Sequence, residues 1–344
     1  MSVLMRGWAM TGYGGPEKSG MREMVRPVQG DGEVLVKVHA AGLNPVDWKT
    51  REGKLRAVMD FDMPVVMGNE LAGEVIAQGR DATRFALGDR VMVRVPKDRM
   101  GAYAEYAAVP EADCALVPAS IDDTQAAAIP LAGLTALQVL RDELHLQQGD
   151  RVLITGGAGG VGTFAIPLAK WLGAHVTTTA SSRGRELVER LGADRVVDYT
   201  AEQFEDVIEP VDAAFDMIGG DTLSRCFRIV KSGGKVVSIA GLPEPRTATQ
   251  DLGRGFPLTA LFWVASLKLR MQARMQGVDY RFLLMHPDGE GLVKLASLVD
   301  DGTITPVVDK VYPFARMADA MAYLEKGHAK GKVVVTMDAD ASGE

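Results

Sequence analysis

From Val34 to about Pro118, apolar and polar residues alternate in short runs closed by glycines: EVLVKVHAAGLN, LAGEVIAQG, GDRVMVRVP, GAYAEYAAVP and CALVP. Period-two alternation punctuated about every 8–12 positions predicts short strands of an antiparallel β unit, partly closed into a barrel. At Asp122 the period changes. DDTQAAAIPLAGLTALQVLRDE is rich in Ala and Leu at helical spacing, which predicts a helix with Ser120 or Asp122 as N-cap. Beyond Gly149, continuous apolar runs alternate with amphipathic ones: RVLITGG, VGTFAIPLAKWLG, HVTTTA, RELVERLG, RVVDY, AAFDMIGG, LSRCFRIV, GKVVSIAG. Strands buried on both faces and separated by helices predict right-handed βαβ units on one parallel sheet, a doubly wound nucleotide-binding domain. Pro167 falls inside the first of these helices, where a lost hydrogen bond costs ~3 kcal/mol, and predicts a kink or a tight first segment. Glu244 to Gly277 reads as less regular, VDYRFLLM as a last strand of the sheet, and GEGLVKLASLVDDG as a helix leading to ITPVVDKVYPF and AMAYLEKGHAKGKVVVTM.

The length of 344 residues suggests two domains. With 38 basic against 45 acidic residues and a net charge of −7, the chain has no broad footprint for a nucleic-acid backbone, so nucleic acid is not expected as a partner. Cys114 and Cys226 stand alone, which excludes a disulfide framework and a C-x-x-C metal knuckle and fits a reducing compartment. The opening MSVLMRGWAMTGYGG lacks the apolar run of a signal peptide, and Leu258 to Leu267 falls short of the ~20 residues that span a bilayer. A cytoplasmic chain without an integral membrane segment is expected.

The strand ending at Thr155 runs directly into Gly156-Gly157-Ala158-Gly159-Gly160-Val161-Gly162 and then a helix. Gly157, Gly159 and Gly162 satisfy G-x-G-x-x-G in the strand-to-helix context that gives the motif its sense. The missing side chains allow a tight turn, close approach of a pyrophosphate, and packing of helix on strand. At the end of the second strand, where an NAD site usually has Asp or Glu, stand Thr179, Ala180, Ser181, Ser182, Arg183, Gly184 and Arg185. Two hydroxyls and two guanidiniums suit a 2′-phosphate, which predicts NADPH.

Taken in order, GLNPVDWKTREG, GNELAGEVIAQG, GAGGVGTFAIPLAK, ADRVVDYT, GTITPVVDKVYPF and EKGHAKGKVVV resemble the zinc-independent quinone oxidoreductase branch of the medium-chain dehydrogenase/reductase superfamily. Within that branch they are similar to alkenal/enone oxidoreductases and to the reticulon-interacting oxidoreductase group. The resemblance implies an α/β chain: a GroES-like β-rich catalytic domain (1–128 and 287–344) and, between its parts, a Rossmann doubly wound parallel-sheet domain (129–286). It also implies a cofactor in the interdomain cleft and a homodimer paired through the last Rossmann strand. Carried over residue by residue, Gly160 and Val161 match the pyrophosphate loop, and Ser181, Ser182 and Arg185 the 2′-phosphate pocket. Tyr199 matches the tyrosine beside adenosine, and Phe282 and Leu284 the backbone near the nicotinamide.

Zinc-dependent members would carry Cys where Asn44 stands and His where Asn69 stands, with Glu70 next to it, and a four-cysteine lobe before residue 120. None of the five histidines forms an H-x-x-H pair or lies near a cysteine, so no metal is expected. Without a Lewis acid, a conjugated acceptor is the easier substrate, because hydride charge spreads into an enolate or hydroquinone anion. The expectation is NADPH-dependent reduction of quinones or of the C=C bond of α,β-unsaturated carbonyls. A 2-enoyl thioester reductase and a low-turnover NADPH-binding sensor or assembly protein are the alternatives. Asn44 is a candidate for bonding the cofactor or a substrate carbonyl. Asp47 is a second candidate or only a cap of the turn, and Lys49 is a proton donor or a surface lysine with solvent returning the proton. Gly253 to Gln276, with Phe256, Trp263, Met271 and Met275 followed or interleaved by Lys268, Arg270 and Arg274, reads as a lid, as core or dimer packing, or as a membrane-surface helix.

Overall fold

The computed structural model describes residues 3–337; Met1, Ser2 and residues 338–344 of the expected return segment lie outside them. The chain divides into two compact units, 1–134 with 286–344 and 135–285.

The first unit begins with two strands absent from the sequence reading, β1 (Leu4–Met10) and β2 (Ser19–Val25). It continues through β3 (Glu33–Leu43), α1 (Pro45–Arg51), β4 (Val65–Val66), β5 (Glu70–Gln78), β6 (Arg90–Arg94), β7 (Tyr106–Pro110) and β8 (Cys114–Leu116). The helix expected from Asp122 onward is broken instead into α2 (Asp123–Ala126), α3 (Pro130–Leu137) and a π-helical turn, Gln138–Glu143. Pro130 is the reason, since it cannot donate into a helix that began before it. Asp122 is the N-cap, its carboxylate accepting the Gln125 N–H at 2.8 Å.

The second unit carries β9 (Arg151–Ile154), α4 (Gly162–Trp171), β10 (His175–Ala180), α5 (Ser182–Arg190), β11 (Arg195–Asp198), α6 (Phe204–Val207), β12 (Val211–Asp216), α7 (Gly220–Ile229) and β13 (Val230–Ser238). The stretch read as less regular contains a π-helical turn (Thr247–Asp251) and two helices, α8 (Leu258–Ala265) and α9 (Leu267–Met275), before β14 (Asp279–Phe282). α8 is apolar almost all round, which erased the helical period from the sequence. The six strands are all parallel, in the order β11-β10-β9-β12-β13-β14. Counted from β9 this is the 3-2-1-4-5-6 order of a doubly wound nucleotide-binding sheet. α4 continues through Pro167, with Val161 O accepting from both Phe164 and Ala165 in a tightened first turn.

The chain then returns to the first unit through α10 (Gly289–Asp300), β15 (Val308–Pro313), α11 (Met317–Glu325) and β16 (Lys332–Thr336). β16 pairs antiparallel with β3, joining β15 and β16 to a sheet of order β15-β16-β3-β5-β6-β8 with β7 also on β3. Its interior is filled by Val34, Val36, Leu71, Val91, Val93, Tyr103, Phe314 and Val333. Residues from opposite ends of the chain therefore stand side by side at the ends of β3 and β16.

Candidate functional site

In the first unit, β3 ends at Leu43, Asn44 turns the chain, and Pro45 starts α1 where its missing N–H costs nothing. Asp47, in the first turn, bonds back to the Asn44 N–H at 2.7 Å. Register brings Lys332 and Glu70 to the same place: Val333 pairs with Leu43, and Leu71 with Ala41. The Lys332 ammonium donates to Glu70 Oε1 and Asn44 Oδ1, each at 2.5 Å, and to Leu43 O at 3.1 Å. Asn44 Nδ2 donates to the same Glu70 oxygen at 2.6 Å, while Glu70 Oε2 accepts the Leu131 N–H at the start of α3. Asp47 accepts from Tyr103 Oη at 2.5 Å and Asn69 Nδ2 at 2.6 Å. Arg94 closes the cluster on Asn69 Oδ1 and O.

All seven side chains are buried, and two cations face two carboxylates, which is the condition for charges to survive burial. Gly42 makes room: a Cβ there would stand 2.4 Å from Glu70 Oε1 and 2.5 Å from Ala127 O. Burial raises the Asp47 carboxyl above its ordinary value despite the opposing bonds from Tyr103, Asn69 and the Asn44 N–H and the charge of Lys332. Burial and the Asp47 charge push the Tyr103 phenol well up, and burial lowers Arg94 to about 10, still protonated at neutral pH.

Asn44 and Asp47 are thus brought together, with both polar ends of the Asn44 amide and both Asp47 oxygens engaged inside the protein. Lys49 lies apart from them on α1, half-buried, and among the described residues no hydrogen bond or carboxylate holds its ammonium. Its Nζ sits 5.7 Å from the centre of the Trp48 ring, and Lys54 covers the same ring at 4.7 Å. Burial, with Lys54's charge adding to it, lowers the Lys49 pKa. Sequence reasoning missed Lys332, Tyr103 and Arg94. Lys332 left one signal, a charge heading the wholly apolar run Val333-Val334-Val335.

In the second unit, residues 157–162 form the turn from β9 into α4. A Cβ on Gly157 would stand 2.1 Å from Thr178 Oγ1, and one on Gly162 2.5 Å from Gly157 O, whereas Gly159 would meet nothing nearer than 3.3 Å. Gly157 and Gly162 are therefore needed for the turn and the helix packing, and Gly159 leaves the space beside the turn clear. This is the division of labour a pyrophosphate cradle requires. The Gly156 N–H is held by Thr179 Oγ1 at 2.9 Å and the Gly157 N–H by Thr179 O at 3.0 Å, tying the turn to β10.

Ser181 caps α5 and Ser182 and Arg185 lie on its exposed first turn. Among the described residues Arg185 makes only long bonds, 3.4 Å to Glu189 and 3.4 Å to Val196 O, so its guanidinium can reorient. Tyr199, at the end of β11, is 57% exposed. Beside it, Asp198 is held ionised by the Thr200 hydroxyl and N–H, the charge of Arg185 and the Ser182 N–H. Where the sheet order reverses, between β9 and β12, a group the sequence reading missed is buried. Asp216 accepts from Ser238 Oγ at 2.7 Å, Gly219 N at 3.0 Å and Thr155 Oγ1 at 3.2 Å, fixing the ends of β9, β12 and β13. Burial raises its pKa. Phe282 and Leu284 follow at the end of β14, where Phe282 O accepts from Thr247 Oγ1 and the Leu284 N–H donates to Asp251.

Sheet order and glycine turn define a dinucleotide-binding α/β protein, and the comparisons place it further. Residues 30–119 match the alcohol dehydrogenase GroES-like domain and residues 191–335 the zinc-binding dehydrogenase domain. The chain is 36% identical to the mitochondrial NAD(P)H oxidoreductase RTN4IP1 of Danio rerio, over 90% of this chain and 84% of that protein. It is 37% identical to the chloroplastic NADPH-dependent alkenal/one oxidoreductase of Arabidopsis thaliana, over 96% of this chain and 79% of that protein. The structure of the quinone oxidoreductase from Coxiella burnetii superposes with a TM-score of 0.84 at 31% identity, covering 98% of this chain and all of that one. The chain belongs to the medium-chain dehydrogenase/reductase superfamily and is an oxidoreductase of that class. Among the described residues no helix is long and apolar enough to cross a membrane.

Proposed function

We propose that the protein is an NADPH-dependent, zinc-independent oxidoreductase that passes a hydride to quinones or to the C=C bond of α,β-unsaturated carbonyls. The observation that carries zinc independence is Lys332: an ammonium bonded to Glu70 and Asn44 stands where a zinc-dependent relative would need soft ligands. The names of the relatives support the acceptor class. In this reading residues 1–128 and 287–344 take the acceptor and residues 129–286 the nucleotide.

In this reading Gly157, Ala158, Gly159, Gly160, Val161 and Gly162 hold the pyrophosphate and Ser181, Ser182 and Arg185 the 2′-phosphate. Tyr199 lies along the adenosine, and Phe282 and Leu284 border the nicotinamide. NADPH, when bound, supplies the hydride. The protein supplies position and a proton. Asn44 is held rigid by Glu70 and Lys332 and fixes the turn into α1. Asp47 locks that turn from beneath. Lys49, made a better acid by burial and by Lys54, gives the proton that completes the reduced product.

The test is NADPH oxidation across quinones, enones, enals and a saturated ketone, with NADH alongside. Turnover confined to conjugated acceptors and favouring NADPH is expected; equal rates with the saturated ketone would overturn the reading. Because the ammonium is the donor, kcat for enones falls as pH rises through the lowered Lys49 pKa. Lys49→Arg moves that limb to higher pH. Lys49→Met lowers kcat by about 10²-fold and removes the limb.

The cytoplasm fits two free, buried thiols. A homodimer through the edge of β14 requires side chains to turn aside, because Tyr280 O accepts from Arg246, Phe282 O from Thr247, and the Leu284 N–H donates to Asp251. An interface using this edge therefore predicts tighter dimers in Arg246→Ala, read by sedimentation velocity.

A further inference from the structure

Between Asp251 and Asp279 the chain holds four cations, Arg254, Lys268, Arg270 and Arg274, and no carboxylate, within a protein of net charge −7. This segment forms α8 and α9. Phe262 and Ala273 are buried, and Leu269 packs against the core cluster formed by Phe227, Val236 and Tyr280. The opposite face is apolar and exposed. Leu261 and Val264 on α8, and Lys268, Met271 and Met275 on α9, are exposed and recur at spacings of three and four within their own helices, so each helix carries its part of an apolar stripe. Phe256 at 87%, Trp263 at 48% and Met275 at 81% exposure extend it. The Arg270 guanidinium lies 5.9 Å from the Trp263 ring centre, coupling a cation to the aromatic edge of the stripe.

An apolar stripe of this spacing suits either a second helix or a lipid surface, and the charges decide between them. Two copies paired about a two-fold axis would bring eight cations to one interface with no carboxylate from either segment, and a centred pairing would set Lys268 against its own mate. An anionic surface meets the same cations favourably, while Phe256 and Trp263 are the residue types that settle at the headgroup level. We propose that α8 and α9 form a docking face for an anionic lipid surface. The stripe enters the acyl boundary, and the exposed Lys268 and Arg274 contact the headgroup phosphates and carboxylates. The helices lie on the bilayer and do not cross it.

The test is flotation of the full chain with vesicles of phosphatidylcholine alone and with 30% phosphatidylglycerol (roughly the charge density at which basic clusters adsorb) at low and high salt. Binding to the anionic vesicles, weakened by salt, is expected. Each cation near the surface contributes about fivefold to partitioning, so Lys268→Ala with Arg274→Ala lowers it roughly 25-fold. Thermal midpoint and NADPH affinity serve as folding controls. The fluorescence blue shift on anionic vesicles is lost in Trp263→Phe although Trp8, Trp48 and Trp171 remain. Equal binding to neutral vesicles, or full binding by the double variant, overturns the proposal. So does a concentration-dependent dimer abolished by Leu261→Ser and Val264→Ser, which would assign the face to a second copy.

Discussion

The polar cluster around Asp47 and the cradle around Arg185 are both built from charged and hydroxyl groups, yet they hold their hydrogen bonds in opposite ways. Around Asp47 each carboxylate, amide and ammonium is bonded to another buried side chain or to backbone. Around Arg185 the guanidinium is 45% exposed and held only by 3.4 Å bonds, and Ser182 and Tyr199 face solvent. A saturated, buried network fixes backbone geometry and loses heavily when one member is removed. A loosely tethered, exposed cation contributes little to folding and keeps its bonding capacity for an anion. The first region therefore carries stability and position, and in the proposed reading the second carries cofactor choice.

That division can be broken most severely at Asp47. Asp47→Ala strands Tyr103 Oη, Asn69 Nδ2 and the Asn44 N–H, and a destabilisation of about 3–5 kcal/mol is expected in denaturant unfolding. A loss under about 1 kcal/mol would show that the cluster relaxes or hydrates and is not the rigid element described. Arg185→Ala should leave the unfolding midpoint unchanged and raise KM for NADPH by roughly 10- to 150-fold, equivalent to about 1.5–3 kcal/mol, with little effect on NADH. Equal losses for both cofactors would remove Arg185 from the 2′-phosphate pocket. Gly157→Ala tests the cradle itself. The new Cβ must displace Thr178 Oγ1, so a loss of about 1–3 kcal/mol in stability accompanied by weaker binding of NADPH and NADH alike is expected from titration and thermal melts.

The smallest effect sharpens the contrast from outside both regions. Asp123 bonds His39 at 2.7 Å and Arg90 at 2.7 Å, and these partners outweigh its partial burial and hold its carboxyl below the ordinary value. A depressed folded-state pKa gives stability that is present above the unfolded value near ~3.9 and is lost as pH falls through the folded one. Asp123→Asn should therefore cost about 0.2–1 kcal/mol at neutral pH, and the two proteins should converge as the solution is acidified below pH ~4. A gap that persists in acid would point to lost packing.

Much of this was legible along the chain. The glycine turn, the serines and Arg185 of the second unit lie within about thirty residues of one another, in a single βαβ unit whose local spacing states its geometry. The first-unit cluster is assembled from residues 44, 47, 69, 70, 94, 103 and 332, of which Asn44, Asp47, Asn69 and Glu70 stood out in the sequence and Lys332 left only a charge at the head of an apolar run. β1 and β2 escaped because Met5, Gly7 and Ala9 make too weak an apolar alternation. α8 escaped because a helix apolar on nearly every side has no period to read.

The sequence by itself determined the parallel sheet, the dinucleotide turn and the choice of cations over a carboxylate at the second strand's end, since each rests on neighbours within one supersecondary unit. Tertiary structure alone decided that Lys332 reaches Glu70 and Asn44. It also decided that the outward edge of β14 is bonded to Arg246, Thr247 and Asp251, and that the stripe on α8 and α9 faces out. Those depend on strand register and on burial between segments as many as 288 residues apart. A hydrogen bond of that reach is set by which strands pair, and local propensity does not encode the pairing.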